Sequence, residues 1–174
     1  YCCELPNCTA FFMFTIPTLL VGCDVVFEKF NISTINKYDF NFVPLTPKMI
    51  EMLDGTEKLN GAKTSIGGDI TTTSHVNKFK SQGGGDYWHS YSCTESLMPL
   101  LTIKNKIDGL LPHPDYEVKL NSKGELLVKG PGVFQGYLGE PKLNTEWYNT
   151  GDIFEEVDGG YNFISRAREM VYHL

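Results

Sequence analysis

The stretch AKTSIGGDITTTSHVNKFKSQGGGDYWHSY, residues 62–91, decides the fold. It contains an apolar strand-like segment that ends at the pair Gly67-Gly68, threonines that can cap a helix, and a second strand-like segment from Asp86 to Tyr91. Strands that alternate with helix-like segments favour parallel strands with helices on the faces of the sheet. The segments CDVVFEKF and FNFVPLTPKMIEML extend this alternation towards the N-terminus. We therefore predict a mostly parallel α/β sheet flanked by helices.

The second half of the chain has shorter strand-like segments, among them YEVKL, GELLVKG and GYNFISR. Asn-Ser-Lys-Gly, Gly-Pro-Gly and Asp-Gly-Gly separate them. Such turn sequences between short strands indicate a meander or a small barrel. The prediction is an α/β subdomain over residues 1–99, followed by a small antiparallel β-barrel-like subdomain over residues 100–164.

Composition argues against nucleic-acid and membrane classes. The chain has 174 residues and a formal net charge of −6, without the basic stripe of a nucleic-acid binder. Its five cysteines are odd in number and irregularly spaced, which favours reduced thiols and a cytoplasmic location. Pro17, Gly22 and Asp24 interrupt the most apolar run, residues 10–27, so it falls short of the ~20 apolar residues of a membrane span. We expect residues 10–21 to form a buried helix.

Gly67-Gly68-Asp69 is the first of four candidate ligand-binding groups. It follows an apolar strand, at the edge where open α/β sheets bind ligands, and glycines let a ligand approach the backbone closely. The alternative is a tight turn from strand to helix, which glycine pairs often mark.

The second group is Tyr91-Ser92-Cys93-Thr94-Glu95. The tyrosine ring could stack on a flat base, and the Thr94 hydroxyl could donate to a phosphate oxygen. Glu95 could reach Mg²⁺, which favours one or two carboxylates together with phosphate oxygens. The alternative is a helix start, with Thr94 as the cap and Glu95 in the first turn.

Two further groups lie near the C-terminus. The carboxylate of Asp152, in Thr150-Gly151-Asp152, could accept hydrogen bonds from two vicinal hydroxyls, as on a ribose. The alternative is a bulge or turn residue. Arg166 and Arg168 point the same way in an extended chain and suit phosphate or sugar oxygens, unless they are only a solvated charged segment.

The order of these groups resembles the adenylate-forming superfamily, which contains acyl- and aryl-CoA ligases, peptide-synthetase adenylation domains and luciferases. The matching segments are IGGD, YSCTES, GELLVKGPGVFQGYL and EWYNTGDIFEEVDGGYNFISRAREM. The resemblance implies the central part of an ATP-dependent ligase that activates a carboxylic acid as an acyl-adenylate. Pyrophosphate leaves in that step, and a thiol, from coenzyme A or a carrier arm, then takes the acyl group.

The resemblance also implies roles for single residues in binding ATP or AMP. Gly67, Gly68 and Asp69 would line the adenine and acyl pocket, and Tyr91 would stack on adenine beside Ser92. Thr94 and Glu95 would act in catalysis, the threonine on the α-phosphate and the glutamate as the ligand of Mg²⁺.

At the end of the chain, Asp152 would hold the ribose hydroxyls and Arg166 would lie beside the ribose or phosphate. Glu169 would be the hinge residue, within a segment 165–174 that leads to a C-terminal domain. Four further motif matches look structural: Gly124, Glu125, Gly136 and Tyr137.

Departures from the family pattern leave alternatives open. Ser92 stands where the motif has glycine, and the 174 residues contain neither a Ser/Thr/Gly-rich phosphate loop nor a domain with a catalytic lysine. We therefore expect little pyrophosphate release from the chain alone, and expect N- and C-terminal parts of the same enzyme as partners. The alternatives are a degenerate adenylation-fold domain that binds nucleotide or acyl ligand without turnover, and a protein-interaction scaffold.

Overall fold

The computed structural model describes residues 2–3 and 11–167 of the chain. The chain divides into two compact units. The first consists of the residues up to Ser90 together with Lys104–Ile107. The second consists of Tyr91–Ile103 and the residues from Asp108 onwards.

The first unit is built from short helices and short parallel strands. Its strands are β1 Cys2–Cys3, β2 Val26–Phe27, β3 Thr64–Ile66 and β4 Tyr87–Tyr91, whose last residue belongs to the second unit. Its α-helices are α1 Ile16–Leu20, which continues a π-helix at Phe11–Thr15, α2 Ile32–Lys37, α3 Pro47–Met52 and α4 Thr73–Ser81. β1 pairs with β2 and β3 pairs with β4, in both cases parallel. The predicted parallel α/β part is confirmed.

Polar side chains fix where these helices begin. Thr46 precedes α3, and its hydroxyl accepts a hydrogen bond from the Met49 N–H at 3.2 Å, while Pro47 occupies the first helical position. The Asn31 side chain accepts from the Thr34 N–H at 2.8 Å at the start of α2. Local sequence therefore sets the helix starts on the chain.

The segment expected to form a buried helix, residues 10–21, is helical from Phe11 to Leu20, but its α-helical part is not buried. The α-helical part spans five residues and has no buried residue, and Leu20 is 81% exposed. Gly22, with φ +76°, follows the last turn of the helix.

The first unit has its own hydrophobic core. The core side chains come from α2, α3, β3, α4, β4 and the segments between them: Phe30, Ile35, Phe40, Val43, Leu45, Ile50, Leu53, Leu59, Ile66, Val76, Phe79 and Tyr87. Ile50 and Ile66 are fully buried. Among the described residues, no helix combines the length and the apolarity that crossing a membrane demands.

The second unit is antiparallel. Its strands are β5 Leu101–Lys104, whose last residue belongs to the first unit, β6 Leu111–Pro112, β7 Glu117–Leu120, β8 Glu125–Lys129, β9 Tyr148–Val157 and β10 Gly160–Arg166. A 3₁₀ turn at Thr94–Ser96 precedes them. β5 pairs antiparallel with β6. β7 to β10 form one antiparallel sheet in chain order, which confirms the predicted meander.

A second core lies under this sheet. It contains Leu100, Leu101, Leu110, Tyr116, Leu126, Val128 and Phe154. Strand β9 turns Asp152 and Phe154 to the same buried face, because residues two apart on a strand point the same way. A carboxylate therefore shares the apolar side of this sheet.

Candidate functional site

Asp152 is the centre of a three-residue contact in the second unit. Only 6% of it is exposed. The Tyr91 hydroxyl donates to Asp152 Oδ2 at 2.6 Å, and Arg166 Nε lies 3.4 Å from Oδ1. A buried carboxylate needs such partners, because losing water without replacement is costly. Asp152 thus contacts two other residues that the sequence indicated for nucleotide binding.

The Tyr91 ring is packed as well as hydrogen-bonded. It meets Phe154 edge-on, with ring centroids 4.8 Å apart, and lies roughly parallel to Phe163 at 6.3 Å. Burial raises the pKa of Tyr91 well above its ordinary value, and the hydrogen bond to Asp152 raises it further. The hydroxyl therefore remains a proton donor to Asp152 at all ordinary pH values.

Thr150-Gly151-Asp152 is a bulge in β9. The pairing of β8 with β9 shifts between Glu125 and Leu127, opposite these residues. Gly151 has φ +71°, and the Thr150 hydroxyl accepts from the Asp152 N–H at 3.2 Å. The bulge that was the alternative interpretation is present, and it aims the carboxylate at Tyr91.

Arg166 pairs with Asp152 across β10 and β9. Its side chain is 69% exposed, so most of the guanidinium faces solvent. The Ala167 N–H donates to Gly151 O at 2.9 Å and ties the end of β10 to the bulge. Arg168 and Glu169, the predicted hinge residue, lie outside the described residues.

Thr94 and Glu95 occupy the 3₁₀ turn. Cys93, not Thr94, precedes it as the cap, so the alternative that Thr94 is the capping residue is wrong. Thr94 is exposed and Glu95 is half-buried. Burial raises the pKa of the Cys93 thiol to about 11, so this cysteine stays protonated at neutral pH.

Two residues that sequence reasoning missed hold this turn. Ser96 is fully buried, and its hydroxyl donates to Cys93 O at 2.9 Å. The Tyr116 hydroxyl donates to Ser96 O at 2.7 Å. A Cβ on Gly132 would lie 1.9 Å from the Tyr116 hydroxyl oxygen and 2.7 Å from Ser96 O. Gly-Pro-Gly was interpreted only as a turn, but its second glycine also makes room for this contact.

The Glu95 carboxylate has a tyrosine partner. The Tyr137 hydroxyl donates to Glu95 Oε1, and this acceptor raises the pKa of Tyr137. Burial, followed by the charge of Glu95, raises the pKa of Tyr148 above its ordinary range. Sequence analysis gave Tyr137 only a structural part, and the 42 positions between it and Glu95 left no local signal of the contact.

Gly67, Gly68 and Asp69 belong to the first unit, directly after β3. A Cβ on Gly67 would lie 2.4 Å from Ser90 O on the neighbouring strand β4, and Gly68 has φ +84°. Asp69 is exposed, and its Oδ1 accepts from the Ile70 N–H at 2.7 Å. The close approach of β4 therefore requires a glycine at position 67, and the left-handed backbone favours one at position 68.

Ser92 replaces the motif glycine without backbone strain. Among the described residues, the non-glycine residues with positive φ are Asn60, Leu97 and Asn105, and Ser92 is not one of them. A serine therefore fits this conformation. The replacement adds a hydroxyl beside Tyr91 and does not distort the turn.

The donor set of the second unit fits a magnesium–nucleotide pair. No group of three or more His, Cys, Asp or Glu side chains suited to a metal occurs in the described part of the chain. Mg²⁺ needs no such group, because it binds through one or two carboxylates and substrate phosphates and keeps several waters. Glu95, half-buried next to the exposed Thr94, fits the part of that single carboxylate.

Known proteins are similar to this chain in sequence or in fold. The medium-chain acyl-CoA ligase ACSF2 of Mus musculus is 32% identical over an alignment of 182 positions, which covers 88% of this chain. The chain spans about a quarter of that relative's length, 26%.

Two solved structures show the fold. One is Escherichia coli MenE with a bound analogue of OSB-AMS, which superposes with a TM-score of 0.82 at 17% sequence identity. The match covers 96% of this chain and 39% of the MenE chain. The other is the O-succinylbenzoate coenzyme A synthetase of Bacillus subtilis with ATP and a magnesium ion, which superposes with a TM-score of 0.70 at 18% sequence identity. The match covers 88% of this chain and 38% of the synthetase chain.

A family model places the chain. The model described as "AMP-binding enzyme" matches residues 1–138, which include the glycine pair after β3, the turn that holds Glu95 and the Gly-Pro-Gly loop. The chain therefore belongs to the AMP-binding enzyme family, among adenylate-forming proteins.

Proposed function

We propose that the chain is part of an ATP-dependent acid–thiol ligase. The enzyme would join a carboxylic acid to the AMP moiety of ATP with release of pyrophosphate, and then pass the acyl group to a thiol with release of AMP. The family membership supports this reaction class. The observation that carries the proposal is the contact of Tyr91 and Arg166 with the buried carboxylate of Asp152.

Asp152 would bind the ribose. A carboxylate has about four lone-pair sites, and the contacts with Tyr91 and Arg166 use one on each oxygen. The remaining sites can accept hydrogen bonds from two vicinal hydroxyls, and such charge-assisted bonds are strong. Tyr91 would present its ring to the base, with Ser92 beside it. Arg166, with its exposed guanidinium, would meet a ribose or phosphate oxygen.

Thr94 and Glu95 would act at the α-phosphate of ATP, where negative charge develops during the reaction. The substrate carboxylate attacks the α-phosphorus, a new oxygen–phosphorus bond forms, and the bond to pyrophosphate breaks. Negative charge spreads over the phosphate oxygens, so a fixed hydroxyl donor lowers the barrier. Glu95 would hold Mg²⁺, which neutralises part of that charge.

The carboxylic acid and the thiol are proposed only as chemical classes. Gly67, Gly68 and Asp69 would line the pocket shared by adenine and the acid, which we propose to be a small carboxylic acid. Coenzyme A or a carrier arm would supply the thiol. A cytoplasmic location, the subdomain limits at residues 99 and 164, and the hinge at Glu169 remain predictions.

Calorimetric titration with AMP tests the proposal. We expect Asp152→Asn to weaken AMP binding at least tenfold, about 1.4 kcal/mol, because a neutral amide replaces the charged acceptor of the ribose hydroxyls. Asp158→Asn, in the exposed β9–β10 turn, is the matched control and should bind like the wild type. Equal AMP affinity in the Asp152 variant would refute the assigned role.

The second candidate is a degenerate domain that binds nucleotide without turnover. Ser92 in place of the motif glycine favours it, because the serine adds bulk beside the proposed adenine platform. The relaxed backbone at Ser92 argues against loss of binding. Exchange of labelled pyrophosphate into ATP, measured with the chain joined to the expected N- and C-terminal parts of the enzyme and in the presence of carboxylic acids, separates the two. Exchange supports the ligase, and AMP binding without exchange supports the degenerate domain.

A further inference from the structure

Tyr137 contacts a proposed catalytic residue although it lies outside all four sequence groups. Its hydroxyl donates a hydrogen bond to Glu95 Oε1 across 42 positions of sequence. Tyr137 is 59% exposed, so burial in the core does not force the contact. The path of the chain segment that contains Tyr137 brings the two side chains together.

The same segment also binds the backbone of Glu95. The Phe134 N–H donates to Glu95 O at 2.8 Å. One hydrogen bond on the main chain and one on the carboxylate restrict both the position of Glu95 and the direction of its side chain. The segment that contains Phe134 and Tyr137 therefore binds both the backbone and the side chain of Glu95.

Tyr137 is itself held by neighbouring residues. The Phe134 ring meets the Tyr137 ring edge-on, with centroids 5.1 Å apart, and meets Tyr148 in the same way at 5.2 Å. The Glu140 N–H donates to Tyr137 O at 3.1 Å. The tyrosine is thus fixed on both its ring and its backbone.

Gly136 explains how the chain brings Tyr137 to this place. Its φ is +136°, a conformation that side chains rarely adopt, and a Cβ there would lie 3.1 Å from Pro141 O. The Leu143 N–H donates to Gln135 O at 2.7 Å and closes the loop. A compact loop with Tyr137 near its tip results.

We propose that Tyr137 is a positioning residue for Glu95, holding Oε1 so that Oε2 faces the magnesium ion carried by ATP. The proposal rests on the proposed function. Carboxylates that bind metals are commonly hydrogen-bonded in turn, and losing that outer partner typically lowers metal affinity about 10- to 100-fold. Mg²⁺ tolerates little deviation from octahedral geometry, so a freely rotating carboxylate would bind it less well.

Titration of the full chain with Mn²⁺, in the presence of α,β-methylene-ATP and followed by electron paramagnetic resonance, tests the proposal. We expect Tyr137→Phe to weaken Mn²⁺ binding about tenfold. The affinity for AMP without metal should stay within about twofold of the wild type, because the variant keeps the ring and leaves Asp152 intact.

Tyr38→Phe is the matched control, since Tyr38 also donates its hydroxyl to a carboxylate, that of Glu28, within the first unit. It should leave Mn²⁺ affinity unchanged. The positioning role would be overturned if Tyr137→Phe and the wild type had equal Mn²⁺ affinity. It would also be overturned if Tyr137→Phe lost as much affinity for AMP as for Mn²⁺. A wild type that binds AMP but no Mn²⁺ would overturn it too and leave the nucleotide site standing, whereas a wild type that binds neither would overturn the proposed function as well.

Discussion

At the scale of single residues, Asp152 depends on the hydroxyl of Tyr91. The carboxylate lies on the apolar side of its sheet, and the tyrosine hydroxyl donates to its Oδ2 at 2.6 Å. Arg166 is farther away and largely exposed, so solvent weakens its attraction. The tyrosine hydroxyl therefore stabilises the buried charge more than the arginine does.

We expect Tyr91→Phe to lower the free energy of unfolding by about 1–3 kcal/mol, because it leaves a buried acceptor without its donor and keeps the ring. Urea denaturation measures the change. Tyr161→Phe is the control, since Tyr161 packs against the same core and its hydroxyl makes no hydrogen bond within the described residues. That control should change stability by less than about 0.5 kcal/mol. Equal effects of the two substitutions would count against the dependence of Asp152 on Tyr91.

Sequence predicted the residue types of the site better than their contacts. A ring, a hydroxyl and two carboxylates are recognisable from their order in the chain. The Tyr91 hydroxyl was not expected to bind Asp152, because stacking uses the ring alone and the two residues lie 61 positions apart. Only the folded sheet reveals that Tyr91 contributes its hydroxyl to Asp152 in addition to its ring.

At the scale of elements, the Gly-Pro-Gly loop supports the 3₁₀ turn that carries Thr94 and Glu95. Gly132 leaves space for Tyr116, and Tyr116 holds Ser96 O. The turn is short and makes few bonds of its own, so these contacts from outside determine its position. The site thus depends on a loop that contributes no ligand-binding group.

Gly132→Ala should destabilise the chain by about 1–3 kcal/mol, because its Cβ would overlap the Tyr116 hydroxyl. Tyr116→Phe removes that hydroxyl and should also destabilise, since Ser96 O loses its donor. The double variant should lose less than the sum of the two, because the clash and the hydrogen bond share one oxygen. Urea denaturation of all four proteins measures the cycle, and strict additivity would contradict the coupling.

At the scale of the whole molecule, the two kinds of sheet followed from the sequence. Glycine pairs and capping threonines predicted the parallel part, and short strands between turn sequences predicted the antiparallel part. The helix near the N-terminus formed where it was predicted, but its predicted burial was wrong, because apolar composition alone does not show whether a segment packs against the core. Tyr116 and Tyr137 were not found, since each acts across 20 or more positions, beyond any local pattern.

A crystal structure of the chain with AMP tests the central claim most directly, because it locates the ribose against Asp152. The account predicts a ribose hydroxyl within about 2.5–3.0 Å of an Asp152 carboxylate oxygen, with the base against the ring of Tyr91. AMP bound elsewhere, with the Asp152 carboxylate contacting only Tyr91 and Arg166, would contradict it.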